Sequence, residues 1–537
     1  MLFPVGNKEI NEKMEEDSRK DELIKYVNAK IAQAPVFVNN RTTINGNPLP
    51  FRKTALNLQR YAESFIKEEK GAEENRIIIL PGLRGVGKTT MLLQLYEFLV
   101  KKQNINIERV LYFSTDELKE FIGVSISEMI NVFFEEILKT TPVFLKEKIF
   151  ILIDEAHFDE HWDRISKILY DKSKNIFLVI TGSSALSIEI SPDLARRSVK
   201  EKVFPLSFSE YLLLKYWLPI DEEISILIKS LIFDLDMVNS GNWVNNLPRI
   251  PVIDNSPNLN PIKGIIYNKI TRDLVINELS KKEIEITVKS SKIGKDINHE
   301  LLSFISLSDL PFSLEMDEKA VYDRIISMID RVIERDIFSI HSFKSESKET
   351  IKRIIYFLAS QSPGGTSHAR LAKHMETSSK QIRNILDVLE KTHLIFSIKP
   401  YGGAGKIAKK SWKYNFLSSS TNVAIRFKLG LYSNSKEKLG VLAENIVAAY
   451  LFRIRETINI PLGIFYDARE GGVDFLIHDS KGRIIPIEVG IGKKDKSQVY
   501  SAIKEYNSPY GIIIDGSQKV RREENVIYIP FTIFSFA

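Results

Sequence analysis

Ile77-Ile78-Ile79-Leu80-Pro81-Gly82-Leu83-Arg84-Gly85-Val86-Gly87-Lys88-Thr89-Thr90 is the segment on which the reading of this chain turns. It opens with a short β-branched apolar run of strand length. Gly82 to Thr89 then fit GxxxxGK[ST], and an apolar-periodic stretch follows at Met91, Leu92, Leu95, Phe98 and Leu99. Strand, glycine-rich loop and helix in that order are the context this motif requires. Glycines let successive backbone N–H groups fold around phosphate oxygens with no Cβ in the way. The start of the helix adds a favourable dipole. Lys88 is expected to reach the β- and γ-phosphates and the Thr89 hydroxyl to bind Mg²⁺. The nucleotide cradle is therefore assigned to Gly82, Leu83, Arg84, Gly85, Val86, Gly87, Lys88, Thr89 and Thr90.

Further along, three more short apolar runs alternate with amphipathic helical stretches: Val110–Phe113, Ile149–Ile153 and Ile176–Ile180. Such runs separated by helices predict a parallel sheet covered on both faces. Ile149–Ile153 ends in Asp154-Glu155, which places two acids at the carboxyl edge of the sheet, where ligands bind. Asp154 is the expected Mg²⁺ partner, through water, and Glu155 the group that polarises attacking water. An Asp followed by Glu points to hydrolysis. Ile176–Ile180 ends in Thr181-Gly182-Ser183-Ser184, so Thr181 is a candidate for sensing the γ-phosphate. Arg196 and Arg197 are candidate arginine fingers, from the same chain or a neighbouring subunit.

Length and composition bound the rest. The chain has 537 residues, enough for several domains. Apolar residues make up 44% and charged residues 27%, the profile of an ordinary soluble protein. With no cysteine, disulfides, thiol catalysis and Cys-type zinc sites are excluded. No signal-like leader and no apolar run of ~18 residues is seen, so a soluble, cytoplasmic protein without a membrane partner is expected. The net charge is +6, and it is unevenly spread. Residues 351–400 hold eight Lys/Arg against three Asp/Glu, and 401–440 hold eight against one. That window carries +12, the electrostatic footprint of a polyanion-binding surface.

The phosphate loop, Ile151–Glu155 with Ala156-His157, Thr181–Ser184, Leu194-Ala195-Arg196-Arg197 and Phe204-Pro205-Leu206-Ser207-Phe208-Ser209-Glu210-Tyr211 together resemble the archaeal-type ATPases near the AAA+/STAND boundary. The resemblance implies ATP hydrolysis with Mg²⁺. It also implies a helical region, a winged helix and a C-terminal module similar to PD-(D/E)xK nucleases. The family often carries Gly-Arg where this chain has Arg196-Arg197, which leaves Arg197 as the matching arginine. The catalytic set is then Glu155, Lys88, Thr181 and Arg197. The expected domains are a helical lead-in (1–75), a P-loop ATPase core (76–216), a mostly helical lid or linker (217–345), a winged helix (346–415) and a small α/β nuclease-like domain (416–537). The fold class is α/β, built on a parallel sheet.

Three short helices (350–359, 367–374 and one after an N-cap at 377–379) and a strand at Leu394–Lys399 fit a helix-turn-helix variant. In that geometry Lys380, Gln381, Arg383 and Asn384 lie near the start of the recognition helix, where Gln, Arg and Asn pair with base edges and Lys with phosphate. The basic segment Lys406–Lys413, with Lys409 and Lys410, lies just behind. DNA is the expected partner, alongside a homo-oligomer or a protein partner.

In the C-terminal stretch, Glu444 on a helix, Asp474 before a strand and Glu488 within a strand resemble the carboxylate order of the PD-(D/E)xK nucleases, which implies a second divalent-metal site. The sequence departs from that pattern at Gly490, where the family has lysine. Glu488 and Gly490 share one strand face. Lys493 and Lys494 follow, on a strand end loosened by Gly490 and Gly492. The expected function is a Mg-dependent ATP-hydrolysing switch that couples nucleotide state to a DNA-binding, nuclease-like half. Two alternatives stay open: a signalling or defence NTPase with a catalytically inactive interaction module, and a DNA-binding regulator that keeps ATP only structurally.

Overall fold

The computed structural model describes residues 6–537, except 184–189, 221, 233–271, 293, 295, 339–342, 344–346, 362–363, 404, 406, 408–409, 432–435, 458–460, 480, 491–495 and 518. The chain divides into two compact units, residues 1–203 and 204–537.

The first unit begins with a long helix, Gly6–Thr42. Its buried residues Leu23, Val27, Ile31, Ala34 and Val38 recur every three or four positions, so they share one face. A small hairpin follows, β1 (Thr43–Ile44) and β2 (Asn47–Pro48), turning at Asn45-Gly46. Both turn residues have positive φ, 51° and 79°, as the tight turn favoured by strand twist requires. After helix Lys53–Ile66 comes the central sheet: β3 (Ile77–Pro81), β4 (Val110–Ser114), β5 (Ile149–Asp154), β6 (Ile176–Gly182) and β7 (Val199–Lys200). Its order is β4-β5-β6-β3-β7 and every pairing is parallel. The three middle strands are buried along their whole length, which is why they read as unbroken apolar runs. Leu23, Val27 and Ile31 of the first helix join the core beneath the sheet with Ile79, Leu111 and Ile151. Part of the charged lead-in is therefore packed onto the central sheet.

The second unit opens with the segment Phe204–Tyr211. Ser207 caps helix Phe208–Tyr216 in a reciprocal box with Glu210. The Phe208 N–H donates to Tyr450 Oη (2.8 Å), and Arg453 pairs with Glu210 (3.3 Å). The Pro-Leu-Ser-Phe phrase thus clasps helix Lys436–Thr457, which carries Glu444. Helices Ser347–Ser360, His368–His374 and Ser379–Lys391 follow one another and lead into β8 (Ile395–Pro400) and β9 (Lys413–Phe416), an antiparallel pair. Ser378 is the cap of the third helix.

The remaining strands are β10 (Gly463–Tyr466), β11 (Phe475–His478), β12 (Ile484–Val489), β13 (Gly511–Asp515), β14 (Arg521–Glu523) and β15 (Val526–Pro530). They form one sheet with β8 and β9, in the order β14-β15-β13-β12-β11-β10-β8-β9. The join is a parallel pairing of β10 with β8. The sheet therefore runs continuously through residue 415. Helix Ser497–Glu505 covers one face, burying Val499 and Ala502 against Leu476, Ile513 and Tyr528.

Candidate functional site: a phosphate cradle and an acid cluster

β6 lies between β3 and β5, with Thr181 opposite Leu80. That register brings the end of β6 beside both the glycine loop and Asp154. Gly85 and Gly87 take left-handed conformations, φ 83° and 91°, which a side chain would strain. Gly87 opens helix Lys88–Glu97, whose start has no side-chain cap. Gly82 forms a bridge with Val203, and its carbonyl and that of Leu83 accept from Lys88 Nζ at 3.0 and 3.2 Å. Lys88 is buried. Two of its three N–H donors are held by neutral carbonyls.

The Thr89 hydroxyl donates to Asp154 Oδ2 at 2.7 Å, and the Thr181 hydroxyl donates to Asp154 Oδ1. Thr181 Oγ1 also accepts from the Glu155 N–H at 3.1 Å. Burial, then the neighbouring charge of Glu155, push the Asp154 carboxyl up to about 6, against the hydrogen bonds from Thr181 and Thr89 and the charge of Lys88. A hydroxyl and a carboxylate facing each other are oxygen donors of the kind hard divalent cations take. Glu155 has a left-handed backbone, φ 51°, uncommon for a residue with a side chain. Its Oε2 lies 3.3 Å from His157 Nδ1, which accepts from the Ser183 N–H at 3.4 Å. The expected residues Lys88, Thr89, Asp154, Glu155 and Thr181 thus come together at one sheet edge.

Arg197 is turned elsewhere. Its Nη1 donates to the Asp193 carbonyl (2.9 Å), and its Nε pairs with Asp171 (3.2 Å). Arg196 is exposed beside Asp193. Ser184 lies outside the described residues. Arg52 was not singled out from sequence. It is buried, and its Nη1 donates to the Val86 carbonyl at 2.6 Å, bracing the glycine loop from outside it. No spacing rule marks it, because the contact spans 34 residues.

In the second unit, Lys380 and Arg383 are exposed at the start of helix Ser379–Lys391. Gln381 is engaged internally, accepting from Thr377 Oγ1 at 2.7 Å and donating to Ser347 Oγ at 3.5 Å. Lys410 is exposed, while Lys406 and Lys409 lie outside the described residues. Lys413, the end of the basic segment, does not face solvent. Its Nζ lies 2.9 Å from Glu444 Oε1, with both side chains largely buried. Burial works against the Lys413 ammonium, but Glu444 and Asp474 outweigh it and the net shift is upward. Burial pushes Glu444 up to about 7, with Asp474 and Glu488 adding to the rise and Lys413 opposing it. Asp474 Oδ2 accepts from the Val489 N–H (2.8 Å), and Glu488 Oε2 accepts from the Asp474 N–H (3.3 Å). The three acids thus share one neighbourhood. Among the described residues, however, no group of three or more His, Asp and Glu side chains is placed to hold a metal ion. Lys493 and Lys494 lie outside the described residues. No helix among those described is long and apolar enough to cross a membrane.

Residues 74–212 match the family described as an AAA domain, which makes this part an AAA-type ATPase domain. Residues 312–426 and 439–534 match two domains of unknown function, DUF8612 and DUF4143. The uncharacterized protein MJ1637 of Methanocaldococcus jannaschii is 32% identical over 477 residues, covering 89% of this chain and 87% of that one. An uncharacterized protein of Haemophilus influenzae is 28% identical over 46% of this chain and 55% of its own. Among solved structures, the Aeropyrum pernix ORC2 protein in ADPNP-ADP complexes overlaps 73% of this chain and 99% of its own, at 13% identity and a TM-score of 0.31. A likeness at that score carries no functional argument. The extent of the match to MJ1637 does define kinship: this chain belongs to the family of that uncharacterized archaeal protein.

Proposed function

We propose that the protein is a Mg²⁺-dependent ATPase switch whose nucleotide state is coupled to a DNA-binding C-terminal half. The observation that carries the first part is the convergence of Lys88, Thr89, Asp154, Thr181 and Glu155 at the carboxyl edge of the parallel sheet. Lys88 leaves its loop carbonyls to pair with the terminal phosphates. Thr89 and Asp154 would hold the cation, whose charge would offset the burial of the Asp154 carboxylate. Mg²⁺, when bound, draws negative charge off the phosphate oxygens. Glu155 takes the proton of the attacking water. Thr181 fixes Asp154 and the Glu155 backbone in register and acts as a positioning residue.

The test is Glu155→Gln. ATP binding is expected to persist while turnover falls by about 10²–10⁴-fold, the range general-base catalysis supplies. Unchanged turnover would refute Glu155 as the base, and a parent that turns over no ATP would refute the hydrolytic reading.

The DNA part rests on the +12 charge of residues 351–440 and on the exposure of Lys380, Arg383 and Lys410. Three helices and the β8–β9 pair support reading residues 346–415 as a winged helix. Double-stranded DNA titrated onto the full chain at several salt concentrations gives the check. Lys380→Ala/Arg383→Ala should lower the salt slope by about 2. An unchanged slope counts against this surface.

A further inference from the structure

The Glu444–Asp474–Glu488 neighbourhood already contains a cation, and it is a lysine. Lys413 is the first residue of β9, paired with Ile398 of β8. It lies 31 residues before Glu444, outside the run of sequence in which the nuclease-like order is read. Its side chain is 14% exposed and that of Glu444 13%, so the ammonium and the carboxylate meet away from bulk water. Tyr466 closes over the pair: the Lys413 Nζ sits 5.3 Å from its ring centre, and its hydroxyl donates to the Ser411 carbonyl at 2.5 Å. An ammonium over an aromatic face gains further electrostatic stabilisation.

The other two acids are committed to the backbone. Asp474 stands just before β11 and receives the Val489 N–H at the end of β12. Glu488 in β12 receives the Asp474 N–H in return. This reciprocal tie fixes the start of β11 to the end of β12 and directs carboxylate oxygens at N–H groups. A divalent cation of the Mg²⁺ or Ca²⁺ type needs six or more oxygen ligands at about 2.0–2.6 Å. Here the Lys413 ammonium stands 2.9 Å from Glu444 Oε1, and the described acids are not grouped to ligate such an ion.

We propose that Lys413 is the resident cation of this cluster, so that the C-terminal acids are neutralised from within and take no divalent metal. The cluster, which lacks a lysine at position 490, thus takes its lysine from the β8–β9 hairpin. The acids become a cross-brace joining the hairpin, helix Lys436–Thr457 and the β11–β12 edge. This inference does not depend on the ATPase reading.

The experiment counts bound Mn²⁺ by electron paramagnetic resonance on the nucleotide-free full chain. Asp474→Asn separates this cluster from Asp154 of the phosphate cradle. The parent and Asp474→Asn should bind the same amount of Mn²⁺. Lys413→Met should bind no more Mn²⁺ than the parent but melt at a lower temperature, because it strands the buried Glu444 carboxylate, and adding Glu444→Gln should recover part of that loss. A parent that loses Mn²⁺ on Asp474→Asn would overturn the proposal, as would a Lys413→Met chain that melts like the parent. Should Lys413→Met fail to fold, the comparison of parent with Asp474→Asn still decides. ATP turnover measured in parallel reports on the phosphate cradle alone, so failure there is read separately.

Discussion

Gly82→Ala probes the phosphate cradle through a single methyl group. An ideal Cβ on Gly82 would lie 2.5 Å from the Val203 carbonyl oxygen and 3.1 Å from Val203 Cβ. Ordinary contact begins at 3.4 Å, so the carbonyl would have to retreat by about 0.9 Å. It cannot do so freely: the Val203 N–H donates to Pro81 O at 2.9 Å, the Glu201 N–H donates to Ile79 O at 2.9 Å, and Val203 is buried. Overpacking of this kind costs about 1–3 kcal/mol. In a unit of 203 residues that is a fall of roughly 2–12 °C in melting temperature. The Gly82 carbonyl also holds Lys88 Nζ, so the shift displaces the ammonium, and misplacement by about 1 Å can cost up to ~100-fold in rate. Thermal melting, fluorescent-ATP binding and turnover of the full chain are the assays. Gly403→Ala, with open space around its Cβ, is the neutral control. A Gly82→Ala protein that melts, binds and turns over like the parent would refute the reasoning.

Asp154→Asn should stabilise the nucleotide-free first unit. The folded carboxyl sits near 6 against 3.8 unperturbed, so the charged form opposes folding, fully above pH 6 and not at all below 3.8. The gain, at most ~3 kcal/mol at pH 7.5, should shrink as pH falls from 6 towards 3.8. Hydrogen exchange at the β5 and β6 amides reads it, and a loss of protection in the variant would contradict it. Thr181→Val should keep ATP binding but lower turnover by about 10-fold or more, since it frees both Asp154 and the Glu155 N–H. Steady-state kinetics beside binding checks this, and an unchanged rate would rule it out. Arg453→Met should destabilise the second unit by about 1–3 kcal/mol, because Glu210 loses a half-buried partner and the Pro205 carbonyl a donor. Urea unfolding measures it, and a melt unchanged from the parent would show the clasp to be incidental.

The strand–glycine loop–helix unit at Ile77–Glu97 was legible because it is contiguous, and backbone geometry dictates its residue types. Asp154 and Glu155 were legible for the same reason, as the polar end of a buried strand. What the sequence withheld is set by pairing at a distance. Arg52 reaches Val86, and Lys413 reaches Glu444, only because the chain folds back on itself. In sequence Lys413 reads as one more positive charge in a basic segment, whereas burial makes it an ion-pair partner. The Pro-Leu-Ser-Phe phrase was visible as a marker, but its task of capping a helix and holding Tyr450 and Arg453 needed the partner helix. The lead-in's apolar stripe from Leu23 to Val38 was present, hidden by the charged residues between.

The central claim is that Gly82–Thr90 grips a triphosphate. The most direct measurement is equilibrium binding of ATP with Mg²⁺ to the full chain, parent against Lys88→Ala. The account expects saturable binding by the parent, weakened by about 10- to 100-fold in the variant, the strength of a charge-assisted hydrogen-bonded contact. No binding by the parent, or equal affinity in both, would contradict it.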